Sequence, residues 1–145
     1  MNANEFRIGN LVIDNLTKEI LVCCGTHCDT NGTNTKIDFS VINREKYHLP
    51  NGWKAEPIAI TEEWLLKFGF EKEKRNRFYS YYLNNDDENE YSRQRIDYWF
   101  GEDNFCAAEL CRAGVCFKRV KLKYVHQIQN LYFALTNEEL TIKNG

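Results

Sequence analysis

The chain has 145 residues, 43% of them hydrophobic and 28% charged, a size and balance that suit one globular domain with its own core and exclude the disordered class. Lys and Arg number 19 against 21 Asp and Glu, a formal net charge of -2. No whole-molecule field therefore draws the protein to nucleic acid or acidic lipid, and any such affinity must be local.

Neither MNANEFRIGN at the start nor any later stretch offers a signal-peptide core or about 18 consecutive apolar residues, so the expectation is a cytoplasmic protein with no membrane span. In that setting the six cysteines read as reduced thiols rather than three disulfides. Asn10 to Asp14 and Glu19 to Cys24 then read as a β-hairpin across the turn-forming Asn15 and Thr17-Lys18. Gly25 to Thr35, GTHCDTNGTNT, has the Gly, Asn, Asp and Thr content of a loop. Lys36 to Ile42 alternates Ile37, Phe39 and Val41 with Asp38 and Ser40, the period of a half-buried strand, and Leu49-Pro50-Asn51-Gly52 is a turn. Residues 5 to 56 are thus a β-rich lobe, for which a small open barrel is one arrangement.

Thr61 is a good N-cap, Glu62 and Glu63 suit the positive end of a helix dipole, and Gly69 suits a left-handed C′ position, so the sequence predicts a short helix over 61 to 68. Trp64, Leu65 and Phe68 form its apolar face. Glu71 to Arg77 reads as a charged connector. Phe78 to Leu83, Arg95 to Phe100, Asn104 to Leu110 and Val115 to Leu122 read as a four-stranded antiparallel meander, with the acidic Asn84 to Glu90 as a solvated loop. In the last helix, 125 to 135, Val125, Ile128, Leu131, Tyr132 and Leu135 fall on one stripe. That stripe is expected to cover the meander, burying Ile128, Leu131 and Leu135. Thr136 to Glu139 has the form of a capping box, which predicts a second short turn. The fold class is α+β in a single domain, 1 to 145, with sub-lobes 5 to 56 and 57 to 145.

No constellation assigns catalysis, a cofactor or a metal. Cys23, Cys24, His27 and Cys28 include a Cys-x-x-His spacing, but zinc needs a further ligand set that Cys106, Cys111 and Cys116 do not supply at their spacing. A thiol nucleophile would need His48 or His126 folded beside it, and no signature surrounds any cysteine. Cys28, in the Gly/Asn/Thr loop, is the thiol expected to react first. Glu62-Glu63 and Glu138-Glu139 are explained by helix dipoles.

Two surfaces are candidates for binding. Between Leu110 and Asn137 there is no acid, while Arg119, Lys121 and Lys123 share a strand face with Phe117. Arg93, Arg95 and Trp99, with one face of the tyrosine-rich Phe78 to Leu83 strand, lie near them in the expected meander, a mixture that can pair phosphate and stack bases. The plainer reading is a solvated sheet face whose cations also guard an edge. The second surface is an uncharged amide face of the last helix, Gln127, Gln129 and Asn130, suited to a protein partner.

At Arg7-Ile8-Gly9-Asn10, Pro57 to Phe70 and Tyr124 to Leu140 the chain resembles a family of small uncharacterised proteins of prophages and mobile elements in Bacteroidetes, whose blocks run approximately RIGN, PIPLTEEWLLKFGF and YVHQLQNLYFALTGEEL. Here Ala59 and Ile60 stand for Pro and Leu, Ile128 for Leu, and Asn137 for Gly. The resemblance implies a bacterial or phage cytoplasmic setting and transfers no activity. The expectation is a non-enzymatic binding or adaptor protein, with nucleic-acid or nucleotide binding through the basic, aromatic sheet face as the alternative and an enzyme as the weakest reading.

Overall fold

The computed structural model describes residues 5–28, 35–42, 51–84, 94–101, 106–112 and 115–143. Side chains at 26–28, 35–36, 84, 94, 106–112 and 115–119 are not described. The chain is mixed α+β, as its patterning predicts, and divides into two compact units: Met1–Ala59 with Tyr124–Leu140, and Ile60–Lys123 with Thr141–Gly145.

The first unit is a four-stranded antiparallel sheet with a helix on it. Strands β1 (Leu11–Asp14), β2 (Ile20–Cys28), β3 (Thr35–Val41) and β4 (Ala55–Pro57) lie in the order β3-β2-β1-β4. β3 and β4 end the sheet, and no pairing between them closes a barrel among the described residues. The hairpin is set by Asp14, whose carboxylate accepts from the Thr17 hydroxyl at 2.6 Å and from the backbone of Leu16 and Thr17. Its core is Phe6, Val12 and Leu21, with Phe39 and Trp53 packed against it and Phe39 edge-on to both Phe6 and Trp53. β2 runs on through Cys28, so the start of the expected 25-to-35 loop is strand, kinked by a register shift between Cys23 and Gly25. Turn residues at 25 to 28 yield here to ladder hydrogen bonds with Thr35–Asp38. The remainder of that loop, and His48, Leu49 and Pro50, lie outside the described residues.

The second unit holds α1 (Glu62–Lys67) and a five-stranded antiparallel sheet, β5 (Glu71–Lys74), β6 (Tyr79–Asn84), β7 (Gln94–Phe100), β8 (Cys106–Arg112) and β9 (Val115–Lys121), in sequential order. The α1 boundaries follow the sequence signals. Thr61 accepts from Trp64 N, and Gly69 (φ +85) and Phe70 donate to Leu66 and Leu65 in the Schellman pattern. A Cβ at Gly69 would also lie 2.5 Å from the Lys143 side chain, whose backbone N–H donates to Lys67 O. Leu65 and Phe68 are buried as expected, whereas Trp64 is half-buried. The expected connector at 71 to 74 is the fifth strand. Its EKEK sequence has no apolar alternation to announce it, yet charged residues are what an exposed edge strand carries. The acidic residues 85 to 90 lie outside the described residues.

The last helix, α2 (Val125–Thr136), packs on the N-terminal sheet at β1, which corrects the expectation that it covers the meander. Its buried residues are Val125, His126, Ile128 and Gln129, while Leu131 and Leu135 are only half-buried. The buried stripe is therefore rotated from the apolar one, because a polar residue, Gln129, makes the hydrogen bonds that dock the helix. No second turn follows. Asn137 adopts the left-handed conformation (φ 59) and ends the helix, and Thr136 Oγ1 donates back to Tyr132 O. Asn tolerates this conformation best after Gly. No helix among the described residues is long and apolar enough to cross a membrane.

Candidate functional site

The amide face expected to meet a partner is used inside the first unit. Gln129 is 2% exposed. Its Oε1 accepts from Leu11 N at 2.9 Å, and its Nε2 donates to Gly9 O and Leu140 O, both at 3.2 Å. Asn130 Nδ2 donates to Glu5 O at 2.8 Å. Gln127 Oε1 accepts from Tyr124 N at 3.2 Å and caps the start of its own helix. Read as a solvent-facing row because they are polar, these amides bond backbone groups instead: Gln129 those of Leu11, Gly9 and Leu140, Asn130 that of Glu5, and Gln127 that of its own helix start.

The RIGN residues meet the same helix. Gly9 (φ +91) allows the turn in which Asn10 N donates to Arg7 O, and Asn10 Oδ1 accepts from Arg7 N. Arg7 stacks over Phe133, 3.5 Å from the ring centroid, and pairs with Glu139 at 2.9 Å. Next to this clasp His126 is buried against the rings of Phe6 and Tyr124, and burial holds its pKa below the usual histidine range against the pull of Glu5.

The basic, aromatic face of the meander is assembled in part. On β7, Ile96 and Tyr98 are buried while Arg95 and Trp99 emerge on the other face. The register sets Lys121 opposite Ala107, and Ala107 opposite Trp99. Arg119 is the partner of Glu109, and Glu109 of Asp97. The side chains of Phe117 and Arg119 lie outside the described residues; Lys121 and Lys123 are exposed and each makes interactions of its own. Arg95 is not available as a bare cation. Its Nε and Nη2 grip both oxygens of Asp97 at 2.8 Å, Nη2 also reaches Glu73 at 3.0 Å, and the guanidinium lies 4.2 Å from the Tyr82 ring centroid. Tyr82 in turn donates to Glu71, which pushes its phenol pKa up. Beside this network Phe78, 47% exposed, packs against Trp99 with centroids 6.5 Å apart. Sequence reasoning placed one face of the Phe78–Leu83 run on this surface but missed the carboxylates, because β5 reads as a connector and its register with β6 is what carries Glu71 and Glu73 onto this face.

Cys23 is buried, with its thiol 3.8 Å from Gly25 O and its pKa pushed up by burial, while Cys24 is exposed; both are free thiols. The Cys28 and His27 side chains lie outside the described residues. Among the described residues no group of three or more His, Cys, Asp or Glu is placed to hold a metal ion. No family model matches the chain, and neither the curated proteins nor the solved structures yield a significant match.

Proposed function

We propose that the protein is a non-enzymatic binding protein whose contact surface is the outer face of the meander, centred on Phe78, Tyr82, Arg95 and Trp99. The observation that carries this reading is the Phe78–Trp99 pair, two large rings partly left to solvent beside an arginine already fixed in place by Asp97 and Glu73. Aromatic and arginine side chains held rigidly at a surface are the residues that dominate protein interfaces, because little entropy is lost when they are covered. The amide face of α2 is withdrawn from this role, since Gln129 is buried. Binding of nucleic acid or nucleotides on the same sheet is the second reading, supported by exposed Lys121 and Lys123. Against it, phosphate would approach Glu71, Glu73 and Asp97, and Arg95 is committed to two of these. The setting implied by the resemblance, a phage or mobile element, fits an adaptor that works through a partner.

A photo-crosslinking phenylalanine analogue at Phe78, irradiated in cells of the native host, tests the reading. A discrete protein adduct that disappears with Trp99→Ala supports it. A nucleic-acid adduct moves the assignment to the second reading, and no adduct above an exposed control position refutes both.

A further inference from the structure

The segment Glu5–Asn10 lies along α2 as a strap. Asn130 holds the Glu5 carbonyl, Arg7 reaches Phe133 and Glu139, and Gln129 holds the Gly9 carbonyl. At its first turn the strap closes over His126, which is 1% exposed. The Phe6 ring lies 4.4 Å from the imidazole, and the Tyr124 ring stacks against it nearly parallel at 5.7 Å. Among the described residues neither ring nitrogen has a hydrogen-bond partner. A neutral imidazole fills such a slot as a flat plate, whereas an imidazolium brings a charge and two donors that need acceptors.

We propose that His126 is an acid-sensitive latch: its neutral ring holds the Glu5–Asn10 strap on α2, and its protonation releases the strap. Among the described groups around the ring, Glu5 on the strap is the carboxylate that faces it, with Oε2 at 3.8 Å from Nε2 and its side chain 52% exposed. Tyr124, on the turn into α2, is the other titratable neighbour; Gln129 and Asn130 on the helix are uncharged, and Arg7 is engaged with Glu139. Burial disfavours the charged ring more than Glu5 favours it. The closed strap therefore binds the proton less readily than the open one. By linkage its closure is fully stable above the pKa of a free histidine, about 6.5, and weakens as pH falls through that value towards the lower pKa of the closed state. Release would uncover Phe6 and free Ile8, which is already 62% exposed.

Amide exchange of Gly9 and Leu11, which donate to Cys23 O and to Gln129, reads the latch directly. Between about pH 8 and about pH 5, after correction for intrinsic rates, their protection is expected to fall relative to the core amides of β2. The fall can reach about tenfold for each pH unit by which the ring's pKa lies below that of free histidine. His126→Phe, which keeps a flat ring in the slot, should abolish the pH dependence, and Glu5→Gln should deepen it. Unchanged or rising protection in acid, as an Glu5–imidazolium pair tightening the strap would give, overturns the proposal, as does an equal fall in His126→Phe. Should that variant fail to fold, direct NMR titration of the wild-type ring decides: a midpoint at or above the free value refutes the latch.

Discussion

Replacing Gln129 by Leu removes three hydrogen bonds from a site 2% exposed while nearly preserving volume. The Leu11 N–H loses its acceptor, and a buried donor left unpaired costs about 2 kcal/mol; the Gly9 and Leu140 carbonyls, each with a second lone pair, cost about 1 kcal/mol apiece. Burying an apolar side chain in place of an amide returns about 1–2 kcal/mol. The expected net loss is thus about 2–3 kcal/mol, a large part of the roughly 5–15 kcal/mol by which domains are stable. Urea unfolding should show a lower midpoint with an unchanged m-value. Gln129→Glu keeps the acceptor for Leu11 but points an anion at two carbonyls. It should be the worse variant at neutral pH and recover as the carboxyl protonates. A Gln129→Leu protein within about 0.5 kcal/mol of wild type would refute the reasoning, because surface substitutions alone stay within that range.

Gly9→Ala should lower the melting temperature, by an amount equivalent to more than about 1 kcal/mol, since φ +91 is unfavourable for an L residue and the new Cβ would sit 3.2 Å from Glu139 Oε2. Asp14 supplies part of the acid limb of stability. The Thr17 hydroxyl holds its carboxyl below the ordinary range, so its contribution is complete above about pH 4, the unfolded value, and is lost as pH drops through the lower folded value. Asp14→Asn should flatten the stability–pH curve below about pH 4, as followed by circular dichroism, and leave the neutral limb's slope unchanged.

Most of the architecture could be read from the chain because local signals and tertiary structure agree there. Thr61, Gly69 and Phe70 mark the ends of α1 in the sequence and perform those roles in space. The alternation of Ile37, Phe39 and Val41 marks β3, and the four strands of the meander lie within two residues of where strand propensity and turn residues place them. What failed did so for two physical reasons. β5 has no apolar residue, so its strand character comes only from pairing with Tyr79–Tyr82, a non-local fact. The helix α2 was oriented by its apolar stripe, but Leu131 and Leu135 are half-buried and the docking residue is Gln129, whose burial is favourable only because Leu11 N, Gly9 O and Leu140 O converge on it. A sequence pattern cannot distinguish an amide that meets water from one that meets an orphaned backbone.

The same distinction bears on where an activity would reside. Arg7, Gly9 and Asn10 of the first resembling block are tied into a turn and to Phe133 and Glu139 of the last, and Asn137 supplies the left-handed cap between those two residues. The middle block contributes the cap and Schellman turn of α1. The hydrogen bonds, charges and backbone angles of these residues are thus taken up in building the fold. Phe78, Tyr82, Arg95 and Trp99 lie outside all three blocks, Phe78 just before β6 and the others on β6 and β7, whose pairing does not require an aromatic at those positions. Large rings partly exposed at a surface are a mark of interaction sites, and that is the ground on which the proposed reading has a partner cover Phe78 and Trp99.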